Sequence, residues 1–176
     1  GDNENEVNNI RLSMKQAKLA SDYRRPTVAA QERKELSESA AAAIELQDGS
    51  IITSRTSSLL GSSAALLLNA TKYLAGIPHS KRLIPEHLIE PIQKTKVEYL
   101  HGHNPRLHTD EVLVALSICA VNDENARKAI NKLGELRNCE VHTSIILSPT
   151  DERIFRRLGV NLTQEAQYQT GNLYHP

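Results

Sequence analysis

Residues 42–53 read Ala-Ala-Ile-Glu-Leu-Gln-Asp-Gly-Ser-Ile-Ile-Thr, two short β-compatible runs, Ala42 to Leu46 and Ser50 to Thr53, around the turn Gln47-Asp48-Gly49. An Asp-Gly pair accepts the positive φ that a tight turn demands, so the stretch predicts an antiparallel hairpin near residues 42–54. The period then changes. Ala64-Ala65-Leu66-Leu67-Leu68 opens an apolar run to Ala75, with serines before it and Gly76 and Pro78 after it. That is the pattern of a helix capped at its start, stopped at its end and buried on most sides. A hairpin feeding a buried helix sets the class as α/β or α+β, with a small mixed sheet of about three to four strands packed against roughly five to seven helices.

Working outward, Ile10 to Leu19 suits a short amphipathic helix ending before Pro26, and residues 28–39 a second helix. Residues 85–100 predict a helix kinked or restarted at Pro91. Thr109 is expected to cap a helix carrying Val112, Leu116 and Cys119, and another follows with the stripe Ala126, Ala129, Ile130, Leu133 and Leu136. Cys139 to Leu147 is β-branched and alternating, hence a strand with Val141, Thr143, Ile145 and Leu147 on its core side. Ser148-Pro149-Thr150-Asp151 opens a last helix that closes at Gly159, its acids at the start and Arg156 and Arg157 at the end. Residues 1–9 are expected to be a disordered or artificial tail, and residues 10–176 one α/β domain.

The chain has 176 residues, 39% hydrophobic, with 21 Lys+Arg against 21 Asp+Glu. A chain this long buries roughly 70% of the surface exposed by its unfolded form, so stability requires neither disulfide nor metal. Zero net charge supplies no long-range attraction, which argues against nucleic-acid and membrane partners. Two cysteines, Cys119 and Cys139, are too few for a disulfide framework, and the opening residues lack a signal peptide's pattern. A cytoplasmic location is therefore expected. The chain starts at Gly1 rather than Met, which raises the expectation of a part of a longer protein.

Two polar segments stand out for chemistry. Thr53 to Ser63 carries seven hydroxyl residues with Arg55 and Gly61 and leads into the buried helix. Helix N-termini offer free N–H donors and partial positive charge, so this segment suits a phosphate or carboxylate cradle. It equally suits a loop that caps its own helix. The Gly-Lys-Ser/Thr ending of a nucleotide loop is absent. The second segment, His101 to Glu111, packs histidines, an arginine and two acids before a helix, with Asn104, Arg106 and His108 the candidates for ligand contact. Zinc is disfavoured because a closed site needs four placed ligands and no cysteine pair accompanies these histidines. Cys139 reads as structural, and His142 stays open as a contact on the strand's other face.

The runs Ala43 to Thr53, Thr56 to Ala65 and Asn104 to Leu113, together with Cys139-Glu140-Val141-His142 and Ile145 to Ser148, resemble the C-terminal part of an uncharacterised bacterial family, domain of unknown function eighteen forty-six. The resemblance covers nearly the whole chain, from Ile10 to His175, and implies a cytosolic bacterial protein with a larger N-terminal domain. It implies little about activity. Some members carry an ATP-dependent peptidase label, for which this chain shows neither nucleotide loop nor protease residues. The family pattern has Gly-Lys-Thr-Ser where this chain has Ser54-Arg55-Thr56-Ser57. Arginine there replaces a point charge with a planar fork suited to bidentate anion contact.

Three functions follow as expectations. The first is a domain that binds a small anionic ligand through Arg55, Thr56, Ser57, Ser62 and Ser63, with Asn104, Arg106 and His108 across from them. The second is part of a transferase or hydrolase site acting on a phosphorylated or carboxylated metabolite, with His108 as general acid/base and Arg106 as anion clamp. The third is an assembly module that forms a homo-oligomer or packs on the N-terminal domain of the same protein. The sequence names no cofactor.

Overall fold

The computed structural model of the chain describes residues 24–166. The tail and the helix expected at Ile10 to Leu19 lie outside the described residues. The hairpin forms where Asp48-Gly49 places it: β1 (Ala41–Glu45) and β2 (Ile51–Arg55) pair antiparallel, with Gly49 at φ 85°. Ahead of it stands α1 (Arg25–Ser37), which starts with Pro26 in its first turn. The apolar run becomes α2 (Ser62–Leu74), followed by α3 (Glu86–Lys94), α4 (Thr109–Cys119) and α5 (Glu124–Ile130). Then come β3 (Glu140–Thr143), α6 (Pro149–Leu158) and β4 (Asn161–Gln164).

The four strands form one mixed sheet in the order β2-β1-β3-β4, antiparallel except for the parallel pair β3 and β4. Strand β1 is central, and its alanines Ala41, Ala42 and Ala43 are fully buried. Helix α1 lies against β1, β2 and β3 while burying only Pro26 and Ala30. Strand residues Ala42, Ile44 and Val141 pack with Leu66 and Leu67 of α2 and Phe155 of α6 in one core. A second core joins Ala64 and Leu68 of α2 to Ile89, Leu107, Val112, Leu116 and Ala129. Because α2 serves both cores, its apolar residues run almost all the way round.

Several boundaries differ from the sequence reading for local reasons. The strand expected to reach Leu147 ends at Thr143, where the Thr143 hydroxyl donates to the Ile145 carbonyl at 2.9 Å and the chain turns. Its second face is covered too, with His142 and Ser144 buried beside Val141 and Thr143. Pro91 sits inside α3, and the irregularity comes later, as a single wide turn at Thr95–Tyr99. The cap of α4 is His108, one residue before Thr109. Strand β4 is additional to the sequence reading.

Phe155 has no exposed surface and joins α6 to the sheet core. Phe155→Ala is expected to lower unfolding stability by about 3–5 kcal/mol, the range for truncating a buried aromatic, measured by urea denaturation.

Candidate functional site

The two polar segments meet. Leu60 and Leu107 form a parallel bridge in which Leu107 N donates to Leu59 O at 2.9 Å and Gly61 N to Leu107 O at 3.2 Å. Arg106 Nε donates to the Ser57 carbonyl at 2.5 Å. Lys96 Nζ holds the same turn by donating to the Arg106 carbonyl at 2.6 Å and to Glu111 Oε1 at 2.7 Å. The side chain of Leu107 is fully buried beneath. Backbone pairing and one buried leucine thus fasten the segment before α2 to the segment before α4.

This juxtaposition gathers three helix starts. The first residues of α2 (Ser62, Ser63), the cap of α4 (His108) and the cap of α6 (Ser148) all line one cleft, with Asn104, Ile145 to Leu147 and Asp151. A helix start carries N–H groups with no partner in its own helix and a partial positive charge, so the convergence favours negative charge between the three. Asp151 supplies one such charge. Its Oδ1 accepts from Thr109 N at 3.0 Å and from the Thr109 hydroxyl at 2.6 Å, and its Oδ2 lies 3.4 Å from His108 Nδ1.

Burial by itself would raise the Asp151 carboxyl, but the hydrogen bonds from His108 and Thr109 outweigh it and hold the group below the usual carboxylate range. The hydrogen bond to Asp151 raises His108 against the opposing effect of burial. The pair is therefore an imidazole steadied at Nδ1 by a buried carboxylate. Ser62 is 1% exposed, and its hydroxyl finds no hydrogen-bond partner among the described residues. Its carbonyl accepts from the Ser54 hydroxyl at 2.6 Å, which fixes the backbone at the start of α2. The cleft encloses about 30 Å³. That exceeds the roughly 10–15 Å³ that a single water requires and is about a tenth of the smallest ordinary small-molecule site, so the cleft suits a small group.

Of the eight residues expected to bind a ligand, Ser62, Ser63, Asn104 and His108 line this cleft. Ser57 borders a larger cavity instead, and its hydroxyl accepts from Leu59 N and Leu60 N, both at 3.2 Å. Thr56 donates its N–H to Ala40 O at 2.8 Å. Arg55 is exposed at the end of β2, and neither Arg55 nor Arg106 lines either cavity. Asp151 is the residue that sequence reasoning assigned only to the helix dipole. His142 is satisfied at both ring nitrogens, by Thr163 Oγ1 at 2.7 Å and Glu165 Oε1 at 3.1 Å, and Cys139 is buried in the core. Among the described residues no group of three or more His, Cys, Asp or Glu side chains is arranged to hold a metal.

Fold and cleft together define a mixed-sheet α/β domain whose helix starts gather around a histidine–aspartate pair. The family model described as "Domain of unknown function DUF1846, C-terminal" matches residues 22–174, and the chain belongs to that family. It is 49% identical over 165 residues to a UPF0371 protein of Corynebacterium glutamicum (strain R), covering 94% of this chain and 33% of the relative. A UPF0371 protein of Streptococcus pyogenes serotype M5 is 42% identical over 171 residues, 97% of this chain and 35% of the relative. The chain thus spans about a third of the length of the curated relatives it matches.

The His108–Asp151 pair gives stability a defined pH window. The lowered Asp151 contributes fully above its ordinary value of 3.8 and loses that contribution as pH falls through its folded value. The raised His108 contributes fully below its ordinary value of 6.5 and loses it as pH rises through its folded value. Thermal stability is expected to peak between these two values. Asp151→Asn should flatten both flanks and remove about 1.5–3 kcal/mol, the range for a hydrogen bond to a charged group. Thermal melts across pH, with NMR titration of the His108 ring, check both expectations.

Proposed function

We propose that this domain binds the carboxylate or phosphate end of a small ligand in the cleft between the starts of α2, α4 and α6. The observation that carries this reading is the buried, unpartnered Ser62 hydroxyl at a point where three helix starts converge. Asp151 does not cancel the attraction, because its charge is matched by His108 once that ring is protonated. Ser62, Ser63 and Asn104 then supply neutral donors, and His108 supplies a charged one.

A second reading rests on the His108–Asp151 pair. A carboxylate that orients an imidazole is the arrangement used for general acid/base work. A transferase or hydrolase site for a phosphorylated or carboxylated metabolite, completed by the rest of a longer chain, would use His108 as its proton carrier. The relatives, about three times longer, support placement of residues 10–176 as one domain beside others in the same protein. Assembly with a second copy is the remaining alternative. Cys119 and Cys139 are unpaired, consistent with a reducing cytoplasm, and among the described residues no helix is long and apolar enough to cross a membrane.

Calorimetric titration with inorganic phosphate and with acetate tests the anion reading. Binding is expected to weaken as pH rises through the folded value of His108. Ser62→Ala and His108→Gln should each weaken it about tenfold, a loss of about 1.4 kcal/mol. Arg55→Ala should leave it unchanged. Affinity that ignores pH and both cleft substitutions would refute the reading.

A further inference from the structure

A larger cavity of about 330 Å³ borders the same connection through Ser57 to Leu60. Its volume falls in the range of small-molecule sites, and its walls divide between apolar side chains, chiefly Leu59, Leu60, Leu68, Leu83, Ile84 and Ile89, and a polar share that includes Ser57, Ser58 and Asn69. One buried cation enters this lining. Lys72 of α2 is 9% exposed, and its ammonium donates to the carbonyls of His79 and Lys81, both at 2.8 Å. Carbonyls satisfy donors but carry no countercharge. Among the described residues no carboxylate lies within ion-pair distance of Lys72.

The other charged groups of the cavity do not repair this imbalance. Arg82 adds a second positive charge, and Glu86, the lining carboxylate, sits 3.8 Å from Arg82 at an exposed position. Burial first, and the Arg82 charge second, push the Lys72 ammonium below its ordinary pKa. A buried cation without an opposite charge is costly, and an anionic ligand relieves that cost. The donor count narrows the class. An ammonium has three N–H groups and Lys72 uses two, which leaves one for a ligand. Arg82, the other cation of the lining, is exposed, so the buried end of the cavity offers one charged donor beside leucine and isoleucine side chains, which suits a carboxylate with a hydrocarbon body better than a phosphate, which needs several.

We propose that this cavity is a binding site for a small amphipathic carboxylate, with its charge on Lys72 and its hydrocarbon against the leucine and isoleucine walls. The site is separate from the cleft at His108 and does not depend on the reading given there. The test is calorimetric and NMR titration of the chain with hexanoate, hexanol and inorganic phosphate. Hexanoate is expected to bind at least tenfold more tightly than hexanol, and phosphate to leave resonances of the cavity residues unmoved. Lys72→Met should abolish the preference for hexanoate over hexanol. Ala65→Met, which fills the cavity from α2 and keeps Lys72, should remove binding of both and guards against a misfolded Lys72 variant. Equal affinity for hexanoate and hexanol in the unsubstituted chain overturns the proposal, as does hexanoate binding that survives both substitutions.

Discussion

The carboxylate of Asp151 is the constraint on which the arrangement turns. A helix start leaves N–H groups that its own turns cannot satisfy, and burying one without an acceptor is costly. Thr109 is fully buried at the start of α4, and Asp151 meets both its N–H and its hydroxyl. That contact fixes α6 against α4. Helix α6 in turn carries the chain from β3 to β4, so the parallel edge of the sheet is placed by the same carboxylate. The Leu60–Leu107 bridge brings the start of α2 to the same point. Structural demand and chemical opportunity therefore coincide: the group that completes α4 also orients His108.

What was readable in the sequence was local. Asp48-Gly49 announced the hairpin because turn chemistry acts within four residues. The run Ala64 to Leu68 announced a buried helix, and Gly159 a helix end, for the same reason. Long-range pairing left no such mark. Asp151 and Thr109 lie 42 positions apart, and an aspartate in a first helical turn looks the same whether it serves the dipole or a distant backbone. Strand β4 reads Asn-Leu-Thr-Gln, too polar and short to announce itself, and it exists because β3 offers it an edge. Lys72 drew no notice in the sequence, because its carbonyl partners at His79 and Lys81 come from a loop that the sequence does not position.

The candidate binding segment divided for a geometric reason. Ser57 and Ser62 are five positions apart on a connection that borders two separate cavities, so residues that looked like one cradle serve different surroundings. Arg55 alternates outward from buried Ser54, as strand geometry requires. The chain belongs to a family whose curated relatives are about three times longer, so the cleft between the helix starts belongs to one part of a larger protein in those relatives.

The central position of β1 also governs the order of folding. One of its edges meets β2 after a turn of a few residues, whereas the other meets β3, and Ala41 bonds to Ser144, 103 positions away. Closing so long a loop is entropically expensive and slow. During synthesis the hairpin, complete at Arg55, therefore stands with the Ala41–Ile44 edge open until β3 begins at Glu140. An open apolar edge is a template for pairing with another chain. The strand that organises the finished sheet is thus also one whose edge stays open to other chains until β3 is made.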